Sequence, residues 1–120
     1  MPKRKITASP NLRVQIKHGI AIGPGKAQLL EAIAGTGSLS EAARLLEMSY
    51  RTAWQLVSNM NEHFTAPLVE LSKGGASRGG ASLTPTGVRV LTLYRRMESK
   101  ALASIRAEMA ELDALIAAGS

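Results

Sequence analysis

Residues 39–57 read LSEAARLLEMSYRTAWQLV, and their spacing decides the fold. Leu39, Ala42, Ala43 and Leu46 fall on one face of a helix, the repeat of an element with one side buried. Just upstream, Ser38 stands three residues before Glu41. That spacing is a capping box: the hydroxyl accepts from one free N–H while the carboxylate reaches back to another. The repeat breaks at Glu47–Met48 and restarts. Ser49 suits an N-cap, and Ala53, Leu56 or Val57, Met60 and Phe64 form a second apolar stripe. Tyr50, Arg51, Gln55, Ser58 and Asn59 fall on its other side. Ala43 is small where the two helices would cross, and Leu46, Met48, Ala53 and Leu56 are apolar where they would pack. This is the spacing of a helix-turn-helix. An α-helix fits the major groove of DNA, and Ser, Tyr, Arg, Thr and Gln near its start can donate to base edges and phosphates. An ordinary corner of two packed helices has the same spacing, so the flanks must separate the two.

Upstream, Leu12, Val14 and Ile16 alternate with Arg13, Gln15 and Lys17, which predicts a half-buried strand. Gly23-Pro24-Gly25 is turn chemistry, and KAQLLEAIAGTG predicts a helix stopped by Gly35 and Gly37. Downstream, PLVEL and ASLT read as short strands on either side of a glycine-rich segment. Together they predict a β-hairpin with a flexible tip. Its glycines let the backbone approach a phosphate, and Lys73 and Arg78 supply charge. Thr84-Pro85 is an N-cap followed by proline at the first helical position. Nothing breaks a helix from there to about Ala117, a span of roughly 50 Å. Leu102, Ile105, Met109, Leu112 and Ile116 repeat at 3–4–3–4 spacing, a seam that a second copy would cover. The expected fold is mainly α with a small β-hairpin wing. A basic flexible arm (1–9) leads into a winged helix-turn-helix (10–84), followed by a long C-terminal dimerisation helix (85–120).

Composition narrows the function. A chain of 120 residues makes one domain, and with no cysteine it has neither disulfides nor thiolate chemistry. No apolar run reaches the roughly 18 residues of a membrane span, and MPKRKITASPN lacks a signal-peptide core. A cytoplasmic protein with no membrane partner is expected. The formal charge is +6, and residues 1–30 carry Lys3, Arg4, Lys5, Arg13, Lys17 and Lys26 without one acid. Such a segment either attracts a polyanion or is a disordered basic tail that serves solubility. Neither glycine-rich segment is a nucleotide loop: the hairpin lacks a Gly-Lys pair, and in GPGKAQ an alanine stands where a hydroxyl is needed. His18, His63 and Asp113 stand without partners at catalytic or metal-ligand spacing. No enzyme activity, metal or cofactor is expected. Sequence-specific binding of double-stranded DNA is the favoured function; a winged-helix protein-interaction module is the alternative.

GSLSEAARLLEMSYRTAWQLVSNMN, then PLVE, GGASRGGASLTPTG and a long helix, resemble the N-terminal DNA-binding domain of ModE-type molybdate-responsive regulators. More distantly, they are similar to the winged helix-turn-helix of LysR-type regulators. The resemblance covers about residues 12–110. It implies a homodimer, joined mainly through the C-terminal helix, on a palindromic operator. It places the recognition helix from Ser49 to about Glu62, with Ser49, Tyr50, Arg51 and Thr52 at its groove-facing start. Gln55 and Ser58 follow one and two turns on, and the wing is Lys73 to Ser82. Two departures stand out. The family carries oxyanion-binding domains beyond this region, and the chain, ending at Ser120, is expected to hold no molybdate-binding domain. Glycine usually occupies the turn position of Glu47, where a left-handed backbone would cost a glutamate energy. Trp54 borders the buried stripe and is expected to pack between recognition helix and wing rather than touch the groove.

Overall fold

The computed structural model describes residues 12–15, 21–72 and 80–117. A short antiparallel pair opens the chain, β1 (Val14–Gln15) with β2 (Ala21–Ile22), in the register Val14 opposite Ile22. The predicted strand begins at Val14 rather than at Leu12, its residues 16 and 17 lie outside the described residues, and it gains a partner from the segment that had read only as a break. Helix α1 (Pro24–Thr36) begins with proline at its first position and runs through Gly35. Gly37 alone ends it, at φ 70°, with its N–H bonded to the Ile33 carbonyl at 2.8 Å. A left-handed cap of this kind suits glycine.

Helix α2 (Leu39–Leu45) follows at once. Only half of the capping box forms. Ser38 Oγ accepts from the Glu41 N–H at 3.1 Å, but the Glu41 carboxylate turns to Arg44 at 2.7 Å. The Ser38 N–H goes instead to Thr36 Oγ1, so the return bond has lost its donor. The turn into α3 (Tyr50–His63) bears out the cost foreseen at Glu47, which sits at φ 58°. The Met48 N–H reaches the Ala43 carbonyl at 3.0 Å and the Glu47 N–H reaches Arg44 at 3.1 Å, the paired closure of a left-handed helix end. Glu47→Gly is expected to raise stability by about 0.5–1 kcal/mol, because glycine occupies this backbone without strain. A thermal melt checks it, and a lowered midpoint would mean that the Glu47 side chain itself holds the turn.

The core lies where α1, α2 and α3 meet. Leu29, Leu30, Ile33, Leu39, Ala42, Ala43, Ala53, Val57 and Met60 are all buried there. The wing joins from the side: β3 (Val69–Leu71) pairs antiparallel with β4 (Ala81–Leu83), with Glu70 opposite Ser82. A bridge from Ser38 to Gly80, and the Ala81 N–H bonded to the Gly37 carbonyl at 3.0 Å, fasten β4 to the α1–α2 turn. Helix α4 (Pro85–Ser104) starts at the foot of the wing. Thr84 Oγ1 accepts from the Gly87 N–H at 2.9 Å and donates to the Pro67 carbonyl at 2.6 Å. Gly87 is buried so tightly that a Cβ there would lie 2.1 Å from the Leu68 carbonyl oxygen.

Tyr94, fully buried on α4, donates to the Leu12 carbonyl at 2.6 Å and so ties the start of the chain to this helix. Burial, more than the nearby Glu98 carboxylate, raises its pKa against the pull of Arg95, so the hydroxyl stays a donor. Arg95 bridges Glu31 of α1 and Glu98. The single helix expected to about Ala117 is two: α4 ends at Ser104 and α5 (Arg106–Leu115) follows, with Ile105 at φ −113°, ψ 15° between them. No proline or glycine stands here. Ser104 Oγ donates to the Ala101 carbonyl at 3.0 Å, and a hydroxyl bonded back onto the preceding turn bends helices.

Candidate nucleic-acid interface

Helix α3 owes its start to Ser49, whose Oγ accepts from the Thr52 N–H at 3.0 Å and donates to Thr52 Oγ1 at 3.0 Å. These two predicted contact residues are therefore engaged with each other, leaving the Thr52 hydroxyl proton to offer outward. Tyr50, Arg51, Thr52 and Gln55 are exposed, and Ser58 is half-buried. At about 100° per residue, Arg51, Gln55 and Ser58 share the side opposite Ala53, Val57 and Met60, which are buried. Arg51 and Gln55 make no hydrogen bond or ion pair among the described residues. The first turn holds no acid, so the positive end of the helix dipole is unopposed there. Lys26, at the start of α1, reaches Asn59 of α3 at 3.4 Å. Lys73 and Arg78, the predicted wing contacts, lie outside the described residues.

Two residues depart from expectation. Trp54 is no buried plug: it is 47% exposed, beside Tyr50 at 49%. The joint between α3 and the wing is made instead by Asn61. Its Oδ1 accepts from the Leu68 and Val69 N–H groups at 2.8 and 3.1 Å, and its Nδ2 donates to the Val69 carbonyl at 3.0 Å. Sequence reasoning gave Asn61 no role. The available signal was a lone amide in the last turn of an amphipathic helix, a few residues before a strand whose backbone needs partners.

The seam residues sit on both sides of the break. Leu102, Ile105 and Met109 are half-buried, while Leu112 and Ile116 are exposed, as is Leu115 beside them. Among the described residues no three His, Cys, Asp or Glu side chains gather as a metal site. No described helix is long and apolar enough to cross a membrane.

Two helices joined by a tight turn, the second with unengaged polar side chains at its start and a hairpin at its flank, define a winged helix-turn-helix domain. Residues 25–88 match the profile of the bacterial regulatory helix-turn-helix protein, lysR family, and the chain belongs to that family. Its members are regulators rather than enzymes. The molybdenum-pterin-binding protein MopB of Rhodobacter capsulatus is 42% identical over 81 residues, 68% of this chain and 30% of that protein. The transcriptional regulator ModE of Yersinia pestis is 34% identical over 110 residues, 89% of this chain and 42% of its own length. The DNA-binding transcriptional dual regulator ModE of Escherichia coli K12 is 36% identical over 83 residues, 69% of this chain and 32% of that protein. The chain thus spans well under half the length of these relatives and is similar to one region of them. Among solved structures, CbnR_DBD in its complex with DNA superposes with a TM-score of 0.57 over 73% of this chain and 95% of that one, at 23% identity. That likeness is one of fold.

Proposed function

We propose that this chain is a sequence-specific transcriptional regulator that binds double-stranded DNA. In this reading α3 enters the major groove and the glycine-rich basic wing lies on the backbone or in the minor groove. The observation that carries it is the start of α3. Arg51 and Gln55 stand exposed and unengaged on a capped helix with no acid in its first turn, in a chain of formal charge +6 whose family is regulatory. The apolar residues of α5 support a homodimer, and a homodimer would select a palindromic site. Such a regulator works in the cytoplasm, where bacterial DNA lies. The molybdenum chemistry in the relatives' names is not carried over, since the matches cover less than half of those proteins.

The test begins with selection of bound duplexes from a random pool. Arg51→Ala is expected to weaken binding to the selected duplex by about 1–3 kcal/mol, the worth of one bidentate guanine contact, and to weaken binding to random DNA far less. Equal loss on both would make Arg51 a phosphate contact. Affinity should also fall steeply with rising salt, as counterions released from phosphates require. A domain built only to hold another protein would enrich no duplex.

A further inference from the structure

We propose that Trp54 is a specificity-determining residue that reads thymine, its indole meeting the C5-methyl group at the major-groove edge, with Tyr50 extending the same apolar surface. The inference rests on α3 being the recognition helix. Tyr50 and Trp54 are four residues apart, so their rings are neighbours on the helix surface. They are 49% and 47% exposed. The chain has one tryptophan, two tyrosines and one phenylalanine. Tyr94 is buried and Phe64 packs against the core, so the other two aromatic residues both stand in the open on a single stretch of α3. About half of each side chain is open to solvent, and the joint between α3 and the wing foot is made by the hydrogen bonds of Asn61.

Trp54 lies between the buried Val57 and the outward row of Arg51, Gln55 and Ser58 when α3 is viewed down its axis at about 100° per residue. One helix surface therefore offers hydrogen-bonding groups along its centre and apolar rings along one flank. The major groove presents donors and acceptors at every base pair but an apolar group only at thymine. The polar row can address any base pair, whereas the rings match one kind.

Trp54 is the sole tryptophan, so its emission reports this spot without labelling. The experiment uses the whole chain and the duplex that it selects from the random pool. On binding, acrylamide quenching of Trp54 is expected to fall by about half or more, as an exposed ring becomes covered. Each thymine is then replaced by deoxyuridine, which removes only the methyl group. At one position per half-site the parent chain should lose about three- to fivefold in affinity, the worth of burying one such group. Trp54→Ala should bind the two duplexes alike, and Trp54→Phe, which keeps an aromatic ring, should retain part of the preference.

Unchanged quenching on a duplex that does bind would overturn the inference and leave the role of Arg51 standing. A uracil penalty of the same size in Trp54→Ala would do the same. So would an indole already shielded in the free protein, which would place the wing tip or a second copy over it. If no duplex is enriched, DNA recognition itself fails, and the thymine contact falls with it.

Discussion

Gly87→Ala should destabilise the domain by about 3 kcal/mol or more, at the upper end of what overpacking causes, and lower its melting midpoint by roughly 10 °C. The added methyl would stand 2.1 Å from the Leu68 carbonyl oxygen and 3.0 Å from its carbon. Both are backbone atoms and cannot swing aside. Leu68 is fully buried, its N–H is held by Asn61, and its carbonyl accepts from the Thr84 N–H at 2.9 Å. Relief therefore requires the first turn of α4 to lift away, breaking the Thr84 bonds to the Pro67 and Leu68 carbonyls. Gly35→Ala is the matched control. Gly35 is exposed inside α1, and a Cβ there meets nothing within 4 Å, so alanine should stabilise by about 0.5–1 kcal/mol. A Gly87→Ala chain that melts with the parent would show that α4 is not seated on the wing foot.

The second large effect is expected at the far end. Leu112→Asp combined with Ile116→Asp should yield a monomer with an unaltered core and a loss of at least about a hundredfold in affinity for a palindromic duplex, the avidity of two linked sites. Leu112 and Ile116 are 60% and 68% exposed, and Leu115 is 81% exposed. Replacing the first two removes little packing from a single copy. Between two copies, each large apolar side chain fully covered is worth about 1.5–3 kcal/mol. Four buried like charges in their place would be too costly for the pair to persist. Analytical ultracentrifugation reads the outcome. A parent chain that sediments as a monomer at micromolar concentration would remove the dimer and the palindrome together.

Local rules carried most of the fold into view. The helix-turn-helix spacing, the Ser49 cap and the Thr84-Pro85 start of α4 involve residues within four positions of one another, where periodicity and capping act. The hairpin was legible because turn residues separated two β-prone runs. What stayed hidden depends on distant partners. Asn61 looked like a surface amide until β3 came to lie against it. Nothing near Gly87 in the sequence foretold the approach of Leu68. Trp54 was misplaced because a helical wheel shows the edge of a buried stripe but not what lies across from it. The break at Ile105 coincides with a serine hydroxyl bonded to the backbone, in a stretch whose apolar repeat runs on undisturbed. For the candidate interface, the sequence pointed to the outward row of α3, but not to the engagement of Ser49 with Thr52.

The clamp at Asn61 also bears on how the protein behaves when crowded. A two-stranded hairpin has two open margins, and an unpaired strand margin is a template onto which another chain can add itself. Here the outward N–H and carbonyl of Val69 are both occupied by one side-chain amide. On the opposite margin the Ala81 N–H is taken by the Gly37 carbonyl. At its foot the wing therefore offers a neighbouring molecule no continuous row of donors and acceptors. Resistance to runaway strand addition is built into the joints that hold the wing in place.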